Sequence, residues 1–110
     1  MDDNSFEELV ISAVEGLPKE FRDKLENIDI VIEEGKGGGL LGLYQGVPLS
    51  RRMHYYGNVL PDKISIFKNN IESMCRTEEE IKETVRRTVI HEIAHYFGLS
   101  DEHMKRSGTY

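Results

Sequence analysis

His91 and His95 stand four residues apart in the segment HEIAHYFGLSD, with Glu92 between them. Four residues are slightly more than one helical turn, so on a helix the two imidazoles lie about 40° apart on one face. Two ring nitrogens placed that way can converge on one tetrahedral ion at about 2.0–2.1 Å each. Glu92 falls about 100° around from His91, so its carboxylate flanks the ion and is positioned to take a proton from the ion's water. Gly98, three residues after His95, suits the end of a helix, where a residue with positive φ turns the chain back. That turn delivers Asp101 as the expected third ligand, with His103 and Glu102 as the alternatives farther along. Three protein ligands and one open position characterise catalytic zinc, whereas structural zinc sites close the fourth position. The expected chemistry is metal-assisted hydrolysis: His91, His95 and Asp101 hold one Zn2+ ion and Glu92 acts as general base.

HExxH alone would recur by chance in roughly one shuffled chain of this composition per hundred. Gly98 and Asp101 at their offsets lower that about a hundredfold more, which favours a site over coincidence. The surroundings agree. Between Thr88 and Leu99 the only charged residue besides the histidines is Glu92, so the segment reads as a helix buried on most sides. A carboxylate and two imidazoles buried there are costly unless something compensates them, and a bound cation does so more readily than plain core packing.

Thr77 and Glu80 form a capping box that predicts a long helix from about 78 to 97. Its first half, residues 78–87, carries seven charges and reads as solvated. Upstream, Phe6, Leu9, Val10, Ala13, Val14 and Leu17 recur at helical spacing, with Ser5 and Glu8 as an N-terminal capping box and an end near Gly16. Pro18 opens a second short helix carrying Phe21 and Leu25. IDIVIEE is a strand with Ile28, Ile30 and Ile32 on one face; LLGLYQG is a strand interrupted by glycine. MHYYG is a possible short strand, DKISIF a stronger one, and residues 68–75 a short helix.

The chain has 110 residues, a single-domain length, and a net charge of −6. Its acidic balance argues against nucleic acid as a partner, and no apolar stretch approaches a membrane span. The N-terminus is acidic where a secretion signal would be basic, and Cys75 is the single cysteine, so a reducing cytoplasm is expected. The charge is uneven. Residues 1–34 hold 11 acids and 3 bases, residues 35–76 hold 2 acids and 6 bases, and residues 77–110 hold 7 acids and 5 bases. If the basic middle lines the site entrance, through Arg51, Arg52 and Lys63, acidic or C-terminal carboxylate groups are favoured there.

Other patterns carry less. Gly37, Gly39 and Gly42 match a dinucleotide fingerprint with Asp62 downstream, but Gly46 and Pro48 oppose the helix that fingerprint requires. Arg51-Arg52 reads first as a solvated loop pair, and His54 as a packing residue. Tyr44, Tyr55, Tyr56 and Tyr96 are each candidates to stabilise an oxyanion. Cys75 reads as a small apolar residue outside the metal set.

With these residues in view, the chain resembles the small bacterial zincin-like metallopeptidases that carry HExxHxxGxxD. The likeness covers nearly the whole chain, through FEELV…LPKEF, LLGLYQGVPLSRR, YYGNVLPDKISIF and HEIAHYFGLSDEH. It implies an α+β, reduced zincin-like fold: a small twisted mixed sheet packed on helices, with a long active-site helix near the C-terminus. Metzincins place a histidine where Asp101 stands and later make a methionine turn, for which Met104 follows too closely. Gluzincins take a glutamate from a later helix, and seven residues follow His103 here. Little chain remains for the lower half of a substrate cleft, so peptides or unstructured proteins are the expected substrates.

A zinc peptidase therefore leads. A metal-stabilised binding or regulatory module without turnover is the alternative. A two-histidine, one-carboxylate iron oxygenase uses the same ligand types, but the i,i+4 helical spacing with Glu92 between does not suit it.

Overall fold

The computed structural model describes residues 1–25, 27–35, 39–46 and 62–99. In chain order they form α1 (Asp3–Glu15), α2 (Lys19–Arg22), β1 (Ile28–Glu33), β2 (Gly42–Gln45), β3 (Asp62–Phe67), α3 (Lys68–Met74) and α4 (Glu78–Phe97). The fold is α+β with a small mixed sheet and a long C-terminal helix, as expected, and the strand order is β1-β3-β2. β1 runs parallel to β3 with Ile30 opposite Ile64, and β2 runs antiparallel to β3 with Tyr44 opposite Ile64.

Helix starts and stops follow local chemistry. The Asp2 carboxylate accepts a hydrogen bond from the Ser5 N–H at 2.7 Å, so α1 begins at Asp3. The expected Ser5–Glu8 box is thus one turn too late. A carboxylate is a strong N-cap acceptor and also complements the helix dipole, so Asp2 takes the position. That N–H holds the Asp2 carboxyl below the usual range. Pro18 sits immediately before α2, as its missing N–H permits.

At α4 the Thr77 hydroxyl accepts from the Glu80 N–H at 3.1 Å, while the Glu80 carboxylate accepts from the Arg76 N–H at 2.9 Å. The reciprocal bond therefore reaches one residue farther back than in a standard capping box. Replacing Thr77 by alanine leaves the Glu80 N–H without this acceptor, and we expect Thr77→Ala to lose about 1 kcal/mol in urea unfolding.

The core joins one face of α1 to α4 and the sheet. Phe6, Val10, Ala13 and Leu17 pack with Ile64, Ile66, Val85, Val89 and Ile93, all buried. Along α4 burial changes as its composition does. Before Arg86 only Ile81 and Val85 are buried; from Thr88 to Phe97 every residue is buried except His91, which is half-buried, and exposed His95. A stretch covered on so many sides is held mainly by packing, and between Thr88 and Phe97 its two least covered positions are the histidines.

Pairing register decides what the sheet shows to α4. Gly42 lies opposite Ile66 and Tyr44 opposite Ile64, so Gly42 and Tyr44 share the core face, while Leu43 is exposed on the other. The MHYYG segment lies outside the described residues.

Candidate active site

α4 ends as its sequence requires. Gly98 adopts the left-handed conformation at φ 73°, its N–H donates to the His95 carbonyl at 3.0 Å, and the Leu99 N–H donates to the Ala94 carbonyl at 2.8 Å. These two bonds make a Schellman motif that satisfies carbonyls of the last turn. A side chain at that φ would be strained, so the glycine permits the turn three residues after His95.

One turn back, the rings of His91 and His95 lie with centroids 4.4 Å apart and planes inclined at 66°. One potential ligand atom from each of His91, Glu92 and His95 falls within 4.8 Å of the others. The Glu92 carboxylate is buried, and its Oε1 lies 3.2 Å from His95 Nδ1. The His95 side chain is 47% exposed, so the cluster combines an enclosed carboxylate with an imidazole open to solvent. Imidazole and carboxylate donors suit zinc, and two imidazoles four residues apart on one helical face can share one ion.

β2 supplies the facing wall, and Gly42 is the point of closest approach. A Cβ built there would lie 2.8 Å from Thr88 Cγ2, 3.1 Å from Glu92 Cγ and 3.2 Å from the Ser65 carbonyl oxygen. Only a glycine lets this strand come so near α4. Beside the approach is a groove of 620 Å³. Leu40, Leu41 and Gly42 line one side, and Arg86, Arg87, Thr88, His91 and Glu92 the other.

The structure brings together three of the four residues expected at the metal site, His91, Glu92 and His95. Asp101 lies outside the described residues, as do Glu102, His103, Arg51, Arg52, His54, Tyr55 and Tyr56. The Tyr44 hydroxyl donates to the buried Asp62 carboxylate, and its ring meets Tyr96 edge-on at 5.9 Å. Neither tyrosine lines the groove. Lys63 also lies elsewhere, on β3, 3.7 Å from Glu33. Cys75 meets Thr84 at 3.4 Å, two helical turns before His91.

Gly42 opens a strand where a dinucleotide fingerprint would start a helix, and Asp62 is the buried partner of Tyr44. At Gly46, with φ 151°, a Cβ would overlap that Asp62 carboxyl. The sequence does not announce Arg86, Arg87 and Thr88 as groove residues. Their signal is helical spacing alone: Arg87 and Thr88 precede His91 and Glu92 by four residues.

A small mixed sheet laid on a long helix that carries two histidines and a glutamate defines an α+β fold with a candidate metal site. The sequence profile of the zincin-like metallopeptidases matches residues 12–109, and the chain belongs to that family. A conserved hypothetical protein from Thermus thermophilus shares the fold, with a TM-score of 0.61 over 88% of this chain and 94% of that one, at 22% sequence identity. No curated protein matches the chain. Among the described residues, no helix is long and apolar enough to cross a membrane.

Proposed function

We propose that the protein is a zinc-dependent peptidase acting on peptides or unstructured segments of proteins. The observation that carries this reading is the meeting of His91, Glu92 and His95 within 4.8 Å beside an open groove. His91 and His95 would hold one zinc ion, with Asp101 as the third protein ligand. When bound, zinc supplies Lewis-acid polarisation of the scissile carbonyl and activation of the attacking water.

The chain's own residues do the rest. Glu92 takes the water's proton on its carboxylate and passes it to the amine nitrogen as the peptide C–N bond breaks. Glu92 is buried, with its Cγ close to Gly42. Through its contact with His95 Nδ1 it would also orient that ring for metal binding. β2 has one neighbour among the described strands, β3, so an extended peptide can align along its other edge and fill the groove.

The contact between Glu92 and His95 equally suits a second reading, a metal-stabilised binding module in which Glu92 only orients a ligand. Cleavage separates the two. We expect the zinc-loaded protein to hydrolyse members of an unstructured peptide library, a chelator to stop it and added zinc to restore it. A fully zinc-loaded protein that cleaves none of them would overturn the peptidase reading in favour of the module.

A further inference from the structure

We propose that Arg87, supported by Arg86, selects substrates carrying a carboxylate about two residues beyond the scissile bond on its C-terminal side. This specificity rests on the peptidase reading above and adds to it the substrate class.

Both arginines line the groove. Arg87, His91 and His95 follow one another at four-residue steps, so they share one face of α4. Arg87 stands about 6 Å along the helix axis before His91. The two guanidiniums share one carboxylate. Arg86 engages Glu83 through Nε at 3.1 Å and Nη2 at 2.7 Å, whereas Arg87 reaches it through Nε at 3.1 Å. The Arg87 side chain is 72% exposed, and among the described residues its two Nη groups are left for a second carboxylate. Arg86 and Arg87 hold the Glu83 carboxyl down to about 2, so it stays ionised throughout the neutral range. Among the described residues that line the groove or pair with these arginines, Glu83 sets one acid against two bases at this end. A planar guanidinium fork matches a carboxylate in a way a lysine would not.

Strand direction says which side of the substrate arrives there. Gly42 faces Thr88 and Glu92, and Tyr44 faces Tyr96, so β2 and α4 run the same way. Antiparallel pairing is the more stable arrangement per residue, so a peptide added to the free edge of β2 runs opposite to both. Residues after the scissile bond then advance towards Leu40, Arg86 and Arg87. An extended strand rises about 3.4 Å per residue, so 6 Å is about two residues. Either an Asp or Glu side chain there or the chain's own terminal carboxylate meets the requirement. In the second case the product released is a dipeptide.

The test uses peptides identical except at the second residue after the cleaved bond, carrying Glu, Gln or Lys. A second set ends at that residue with a free carboxylate or a carboxamide. kcat/KM is measured with the zinc-loaded protein, and Kd by fluorescence polarisation with Glu92→Gln, which reports binding without turnover. We expect a preference of about tenfold for the carboxylate in at least one set, reduced at high salt. The set that shows it identifies a side chain or a chain terminus as the source. Arg87→Glu should reverse the preference towards Lys, and Arg87→Gln should abolish it; both changes are at an exposed position, so folding is retained. Cleavage with equal rates for Glu, Gln and Lys, and for acid and amide ends, would overturn the specificity and leave the peptidase reading standing. A tenfold preference in Kd that Arg87→Glu reverses, without cleavage, would uphold the specificity and overturn the peptidase.

Discussion

Glu92→Gln is expected to lower kcat by about a thousandfold while zinc content per chain stays unchanged. Glutamine keeps the shape of glutamate, so it packs in the same space beside Gly42 and Thr88. Its amide oxygen still accepts from His95 Nδ1, where the carboxylate now lies at 3.2 Å. What the substitution removes is the group that takes and returns a proton. General acid–base catalysis contributes about 10²–10⁴-fold, and here the same group serves both directions of transfer. Turnover of a saturating peptide and metal analysis of the same preparation check this. A variant that cleaves at the parent rate removes Glu92 from the mechanism.

Gly42→Val is expected to destabilise the fold by about 2–3 kcal/mol and to abolish hydrolysis. Its first added carbon already lies 2.8 Å from Thr88 Cγ2 and 3.2 Å from a backbone oxygen of β3. β3 is fixed by strands on both sides, so the oxygen does not yield and β2 must move away from α4. Overpacking a tight contact costs about 1–3 kcal/mol, and valine adds two methyls beyond the first carbon. The same movement takes one wall from the groove. Urea unfolding measures the stability loss. Thr88→Ala, added to Gly42→Val, removes the nearest contact and should recover part of it, a non-additivity expected of touching residues. Wild-type stability in Gly42→Val would mean that the strand and helix do not meet so closely.

The helix bearing the histidines is legible from its ends inward. Thr77 and Gly98 are local signals, and each acts within a few residues of itself, so the bounds of α4 follow from sequence. The change in burial near Thr88 is legible for a similar reason, since charge disappears there. At α1 the periodicity is clear but the cap is not: Asp2, Asp3 and Ser5 all offer side-chain oxygens within four residues, and it is Asp2 that accepts from the backbone. Strand order is another matter. β3 lies between β1 and β2 although it follows both, and such non-local pairing leaves no mark in the individual strands.

The same limit explains Arg86 and Arg87. Their charges identify an exposed stretch of helix, but whether a face looks on open water or onto a groove depends on what approaches it. Here that is β2, brought close by Gly42. In the sequence Gly42 looks like a break in a strand, which a glycine at a close backbone approach also produces. The histidine pair and Glu92 need no such partner, because their spacing on one helix sets their geometry.

That His91 and His95 together hold zinc is tested most directly by titrating the full chain with zinc against a chromophoric chelator, beside the His91→Ala/His95→Ala variant. The parent should bind one ion per chain, and the variant should bind at least about a hundredfold more weakly with its helical circular dichroism retained. Equal zinc affinity in the two proteins would contradict the site.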